Sequence, residues 1–352
     1  MSRPRVLITG GAGFIGCNLA DRLATDGCEV VVFDSLARPG VSQNLAWLKA
    51  RHGEGVRPII ADVRNEAAVS KATAEADVVF HLAAQVAVTT SLIDPVQDFD
   101  VNLRGTLNVL EGVRRAGRGA PVIFASTNKV YGDLADISLQ LADDAWLPED
   151  RSLRARGVGE SRPLDFHTPY GCSKGAADQY VLDYARSFGL PACVLRMSCI
   201  YGRRQRGTED QGWVAHFLIE AMAGRPLRIY GDGCQVRDVL NVNDAVGAYV
   251  AAWRRIGEVK GRAFNLGGGP MNAISLRQLI GHIGDLLGRP VELSFHDWRA
   301  GDQRYFVADT NTIRQALGLG APIDWRSGVA DLADWLRSDD RTERLEPAEA
   351  AA

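Results

Sequence analysis

The chain has 352 residues, 46% hydrophobic and 24% charged, the balance of a globular protein large enough for one big domain or two closely joined ones. Its 40 Lys and Arg against 43 Asp and Glu leave a formal charge of −3, which excludes a bulk field drawing it to nucleic acid or to a membrane surface. No apolar run approaches the roughly 20 residues of a membrane span, and MSRPRVLITG runs almost directly into a strand, so neither a membrane anchor nor a signal peptide is expected. The six cysteines are scattered without a C-x-x-C, which points away from a metal site or disulfide framework and towards free thiols in a cytoplasmic protein.

In chain order, RVLIT (5–9) reads as a strand and FIGCNLADRLATDG (14–27) as a helix, with Ile15, Leu19 and Leu23 on one face and Gly27 as its stop. EVVVF (29–33), VRPII (56–60), DVVFHLA (77–83) and PVIFAS (121–126) read as the next four strands. Asp94-Pro95 reads as an N-cap followed by a first-turn proline, opening a helix that runs to about Arg115. Continuous apolar strands alternating with helices imply a parallel sheet covered on both faces, that is, a doubly wound α/β fold. The stretch from Asp133 to Thr168 is long for a connection and has weak periodicity, a pattern of functional or mobile loops. A helix over 168–189 and a strand at 192–197 follow. Beyond about residue 200 the segments shorten and become rich in Gly and Arg; they read as a smaller substrate domain, with a return to the sheet near 237–255. The expected division is 1–198 with a return at about 237–262, 199–340, and a tail over 341–352, frayed or helical.

GGAGFIG (10–16) lies between the first strand and the first helix, with glycines at 10, 11, 13 and 16. Glycines there allow a tight turn and close approach of the backbone to a pyrophosphate seated on the helix N-terminus. Asp34 ends the next strand, where a carboxylate accepts hydrogen bonds from an adenosine ribose and repels a 2′-phosphate; the expected cofactor is therefore NAD rather than NADP. Asp62, after the third strand, is placed to meet the adenine edge or else is a solvated acid.

Tyr170 and Lys174 are four apart and share one face of a helix. A phenol with a pKa of about 10 works as a base near neutrality only if lowered by roughly 3 units, which a nearby ammonium and a positive nicotinamide can together supply. Lys174 is also placed to hold the nicotinamide ribose. Thr127 ends the fifth strand, at the edge where open α/β sheets bind ligands, and its hydroxyl can bridge a substrate oxygen and Tyr170.

GGAGFIG, HLAAQ (81–85), NLRGT (102–106), STNKVYG (126–132) and PYGCSK (169–174) together resemble the extended short-chain dehydrogenase/reductase family of sugar-nucleotide epimerases and dehydratases, over nearly the whole chain to about residue 340. The resemblance implies a Rossmann-type doubly wound sheet with a smaller α/β C-terminal domain for the sugar nucleotide, and a Thr127–Tyr170–Lys174 triad. It implies cofactor contacts from Gly10, Gly13, Phe14, Ile15, Gly16, Asp34, Asp62, Val63, Leu82, Ala83, Ala84, Gln85, Asn102, Tyr170 and Lys174. It further implies substrate contacts from Gln85, Asn128, Arg237 and Arg304, with the two arginines on the diphosphate, and a homodimer or dimer of dimers built through a four-helix contact.

Where the family's 4,6-dehydratases carry Asp-Glu after the triad hydroxyl, this chain has Asn128-Lys129. An amide is no proton donor of carboxylic-acid strength and an ammonium is a poor base at neutral pH, so dehydration is disfavoured and hydride removal and return survive. STNKVYGD, LDFHTPYGCSKGAADQYVLDYAR (164–186), DQGW (210–213) and GDGCQVRDVLNVNDA (231–245) resemble in particular the members that invert C2 of a CDP-linked 3,6-dideoxyhexose, turning CDP-paratose into CDP-tyvelose with bound NAD. UDP-hexose 4-epimerisation is the rival within the enzyme class, and an NAD-binding scaffold or sensor the rival outside it. For Arg237 and Arg304 the competing reading is an ion pair with Asp238 or Asp302. The Arg203, Arg204 and Arg206 cluster either meets phosphates or is a solvated loop, Trp213 lies beneath the base or packs, and Cys172 is a packing residue. No metal is expected.

Overall fold

The computed structural model describes residues 3–299 and 301–345. Seven parallel strands form the central sheet, in the spatial order 263–266, 192–197, 122–127, 78–81, 5–9, 29–34 and 56–60. Period-two alternation splits each strand between two apolar layers. Val6, Ile8, Val30, Val32, Phe80 and Ile123 face one side, with the helices Phe14–Thr25 and Val242–Arg254 over them. Leu7, Val31, Val79, Val122 and Phe124 face the other, beneath Val109 and Val113 of one helix and Ala177 and Val181 of another. With both faces covered, most strand positions are apolar, which is why the strands read as apolar runs, and the buried polar residues lie mainly towards their carboxyl ends, such as Thr9, His81, Ser126, Thr127 and Arg196.

Strand order reverses between Arg5–Thr9 and Val78–His81. Ligands of open α/β sheets bind outside the carboxyl ends of the strands at such a switch. The segments leaving those two strands are the glycine turn and Leu82–Ala84. They touch: a Cβ on Gly10, whose φ is +69°, would lie 2.7 Å from the Ala83 nitrogen.

The helix opened by Asp94 is interrupted. Asp94 caps it by accepting from the Gln97 amide at 2.9 Å, but Asp100–Arg104 is a π-turn between the α-helical stretches Pro95–Phe99 and Gly105–Ala116. Such a turn inserts an extra residue and often marks a functional site; Asn102 sits in it.

The remaining residues build a second body. A separate core of Tyr201, Val214, Phe217, Leu218, Leu227, Ile229, Leu279, Ile283, Trp325 and Val329 joins the helices Trp213–Met222, Leu276–Leu287 and Trp325–Leu345. The return to the large sheet differs from the expected 237–255. Val236–Asn241 pairs instead with Cys199–Tyr201, Ala273–Ser275 and Tyr305–Phe306. The helix Val242–Arg254 then packs on the first core, and the strand that enters the large sheet is Ala263–Leu266, a four-residue run too short to show a period. The long 133–168 connection also carries structure, a hairpin of Leu139–Ala142 with Ala145–Pro148 and a helix Arg151–Arg156 capped by Asp150. Of the expected tail, residues to Leu345 belong to the last helix and 346–352 lie outside the described residues. Among the described residues no helix is long and apolar enough to cross a membrane.

Candidate active site

The glycine turn is shaped by backbone-to-backbone contact. A Cβ on Gly16 would lie 2.1 Å from the Gly10 carbonyl oxygen, so any side chain there would force the turn open. Gly13, the N-cap of Phe14–Thr25, provides no side-chain cap, so the helix's leading N–H groups keep their donors for a ligand. Asp34 sits across the turn. Its two carboxylate oxygens accept from the Ala12 amide at 3.0 Å and the Leu36 amide at 2.9 Å, and burial raises its pKa. Each oxygen keeps lone-pair capacity for a ribose hydroxyl. A cradle that no Cβ could enter, uncapped helix donors and an acid at the next strand end fit an adenine dinucleotide diphosphate. Phe14 and Ile15 begin the helix and pack on the first core.

On the other side of the switch, the Gln85 backbone N–H donates to the Asn102 side-chain oxygen Oδ1 at 2.9 Å, and the Gln85 side chain closes on Ala87. The Asn102 amide donates to Asp98 at 3.1 Å and to the Ser173 hydroxyl at 3.0 Å, and Ser173 in turn donates to Asp98. Asp98, Asn102 and Ser173 are buried, so the network ties the π-turn to the helix that carries Tyr170. Asp98 and Ser173 escape a reading by motif; their signals are the four-residue spacing of Asp98 from Asn102 and the place of Ser173 beside Lys174. Val63 packs against Gly105, where a Cβ would be 2.7 Å away. Asp62 is held by Arg64 through bonds of 2.8 and 3.0 Å, and that contact lowers its pKa; in this structure it is turned to Arg64.

Thr127 and Tyr170 come together at the carboxyl end of Val122–Thr127, with the Thr127 side chain near enough to the phenol to favour its charged form. Burial pushes the phenol up to about 12, the Thr127 side chain opposes this, and Asp98 adds to it. Lys174 lies below, its Nζ donating to the Ala125 carbonyl at 2.7 Å and 4.2 Å from the centre of the Phe124 ring; burial lowers its pKa to about 7. The expected lowering of the phenol by Lys174 is thus not a property of the protein alone. Desolvation prevails in the protein by itself.

The two residues after Thr127 face a distant segment. The Asn128 amide donates to the Gln303 side-chain oxygen at 3.2 Å, and Lys129 Nζ donates to the Gly301 carbonyl at 2.9 Å. Gln303 reaches back to the Gly132 carbonyl. Arg237 is buried, and its guanidinium donates to Asp302 at 2.6 Å and to the Gln303 carbonyl at 2.5 Å. The ion pair weighed against its diphosphate role is the arrangement seen here, buried rather than on the surface. Arg304 is exposed and lies between the rings of Trp146 and Trp298, 5.4 and 5.5 Å from their centres. Arg299, not singled out from the sequence, stacks on Tyr230 at 3.8 Å and pairs with Glu209 at 3.5 Å. Trp213 donates to the Cys199 sulfur at 3.3 Å, a packing arrangement, and Cys172 is exposed rather than packed. Arg203 pairs with Asp331, and Arg204 lies 3.7 Å over Trp47. They line a cleft of about 630 Å³ away from the triad.

A Rossmann-type sheet with a glycine cradle, an acid at the second strand end and a buried Thr–Tyr–Lys set defines a dinucleotide-dependent enzyme of hydroxyl and carbonyl chemistry. The profile of the NAD dependent epimerase/dehydratase family matches residues 6–267, and the chain belongs to that family. It is an enzyme of that family, and its cofactor is NAD. The chain is 41% identical over 341 residues to CDP-paratose 2-epimerase of Salmonella typhi, covering 95% of this chain and 99% of that protein. It is 33% identical over 336 residues to UDP-glucose 4-epimerase of Mycolicibacterium smegmatis, covering 95% and 99%. The solved UDP-glucose 4-epimerase of Thermus thermophilus in complex with NAD superposes with a TM-score of 0.78 at 31% identity, covering 95% of this chain and 99% of that one.

Proposed function

We propose that the protein epimerises a nucleotide-activated sugar, inverting C2 of CDP-paratose to give CDP-tyvelose through a transient 2-keto sugar. The observation that carries this reading is the turn at 127–129. The Thr127 hydroxyl is present beside Tyr170, while the two positions after it hold an amide and an ammonium already engaged with Gln303 and Gly301. Such a turn supports oxidation and reduction of a carbinol and withholds the acid–base pair that expels water. The 41% identity to a CDP-paratose 2-epimerase supports C2 and the cytidine nucleotide over C4 of a UDP-hexose.

Gly10, Gly13, Gly16 and Asp34 would hold NAD on the adenosine side, and Lys174 its nicotinamide ribose. When bound, NAD supplies a hydride acceptor and donor. Tyr170 takes the proton of the sugar hydroxyl as the C–H hydride leaves that carbon, so a C=O forms and the alcohol is oxidised. Thr127 bridges the sugar oxygen and the phenol. After the keto sugar has turned, hydride returns to its other face and Tyr170 returns the proton to oxygen, leaving no net redox change. Arg237 would bind the diphosphate by exchanging Asp302 for it, a bidentate contact suited to guanidinium.

The assay is CDP-paratose carrying deuterium at C2, followed by NMR. Tyvelose product with the label kept at C2 is expected; inversion at C4, or loss of the label to water, would overturn the reading. We further propose a cytoplasmic homodimer. Six unpaired cysteines suit a reducing compartment. Leu92, Ile93, Val96, Phe99 and Tyr180, all exposed, lie on the helices Val88–Ile93, Pro95–Phe99 and Thr168–Phe188 and offer apolar surface for such a contact. Light scattering on the purified protein should return twice the mass of 38.1 kDa, and a monomer at micromolar concentration would count against it.

A further inference from the structure

The turn that follows Thr127 is tied to a segment more than 170 residues further along the chain. Lys129 Nζ meets the Gly301 carbonyl, Asn128 meets the Gln303 amide, and Gln303 meets Gly132. Gly301 itself rests on the catalytic helix. With φ +71°, it lies so close that a Cβ would be 2.8 Å from Cγ2 of Thr168, the first residue of the Tyr170 helix. Arg237 holds the same segment from the second body through Asp302 and the Gln303 carbonyl. Gln303 is fully buried and Asn128 nearly so. Residues 301–303 are thus bonded both to the catalytic turn and to the arginine expected to receive the diphosphate.

Resting on the reading of the site as an epimerase, we propose that Lys129 is a positioning residue that, with Gln303, fixes residues 301–303 against the catalytic turn and so keeps the keto sugar in the site between the two hydride steps. The physical need is specific to this chemistry. A keto intermediate that must turn before reduction is free of a covalent tether, so its retention depends on what covers it. An early escape would strand the enzyme with a reduced cofactor and release a keto sugar. Lys129 touches no reacting atom in this role. Its ammonium ties the 301 carbonyl, and burial with Arg237 nearby lowers its pKa to about 8 while Asp302 works the other way. A buried charge-assisted bond is among the stronger single ties a protein makes.

The test compares the wild type with Lys129→Met and, independently, Gln303→Met, which removes the bonds to Asn128 and Gly132 from the opposite side without replacing a residue of the turn. Two quantities are read. The first is the ratio of keto sugar released, trapped by borohydride reduction in the medium, to sugar epimerised. The second is hydrogen–deuterium exchange of the peptide containing 301–304, measured without substrate. Both variants should raise the leak ratio by about tenfold, a factor within reach of one lost charge-assisted bond, and should speed exchange of that peptide. An unchanged leak ratio in both variants overturns the proposal, as does unchanged exchange. A fall in the hydride-transfer rate of Lys129→Met with no added leak also overturns it, because Lys129 would then act on the chemistry. Should the wild type epimerise no nucleotide sugar at all, it is the functional reading that has failed; the exchange measurement still decides whether Lys129 positions the segment.

Discussion

Replacing Asp178 by Ala should cost about 3–5 kcal/mol of stability, the usual penalty for breaking a buried ion pair from one side. The structure puts this site at the upper part of that range. Asp178, on the Tyr170 helix, is fully buried, and Arg196, on the neighbouring strand, is 4% exposed. The guanidinium forks onto both carboxylate oxygens at 2.9 Å. Ser126, next to the triad threonine, donates to the same carboxylate at 2.8 Å, and Arg196 also donates to the Tyr131 phenol at 3.0 Å. Truncation therefore strands a guanidinium, keeping one hydrogen bond of three, together with a hydroxyl. Urea unfolding of nucleotide-free protein measures the loss as a lower midpoint at unchanged slope. The double variant Asp178→Leu/Arg196→Met removes both charges and should recover most of it, since paired burial is close to neutral overall. A loss under about 1 kcal/mol for Asp178→Ala would show that water reaches the pair, and the reasoning from burial would fail.

Three further outcomes are expected. Tyr170→Phe should lower kcat by 10²–10⁴-fold with NAD still bound; activity within about threefold of wild type would assign the proton to another group. CDP-glucose or dTDP-glucose should yield no 4-keto-6-deoxy product, and efficient formation of one would refute the reading of Asn128 and Lys129. Stability of nucleotide-free protein should rise from pH 7 to pH 8.5. Burial drops Lys174 from 10.5 to about 7, so over that window the unfolded chain keeps a proton the folded chain has released. Lys174→Met should reduce the rise in the urea midpoint, leaving the part that belongs to Lys129, lowered to about 8, and a midpoint that falls with pH in the wild type would contradict the sign.

How much of this was legible in the sequence follows from the range of the interactions. The glycine turn, Asp34, and the helix bearing Tyr170 and Lys174 are set by local geometry, and their residue types announce them. The strands of the large sheet are apolar because both faces are covered, so they too are visible. What lay hidden is pairing across distance. Nothing near Asn128 or Lys129 announces Gly301 and Gln303. Arg237 could be read as a phosphate ligand or as a partner of Asp302, and only the fold brings Asp302 to it. The π-turn at Asp100–Arg104 has the composition of an ordinary helix. Arg304 has a phosphate binder's residue type, yet two tryptophans from separate parts of the chain, 146 and 298, claim its guanidinium.

The 133–168 connection has a consequence for engineering. Trp146, in its hairpin, donates through its amide to the Cys234 carbonyl and through its indole to Asp232, each at 2.8 Å. Val158 bridges to Ala308, and the Asn265 amides bond Glu160 and the Val158 carbonyl. Chain from the amino-terminal half is threaded into the carboxyl-terminal half, while 263–266 travels the other way to complete the large sheet. The halves are therefore not interchangeable cassettes. A chimera joined near residue 198 with the remainder of another family member would cut each of these ties at once. Specificity is better transplanted as matched patches, with residues 145–160 moved together with the stretches at 232–234 and 263–308 that receive them.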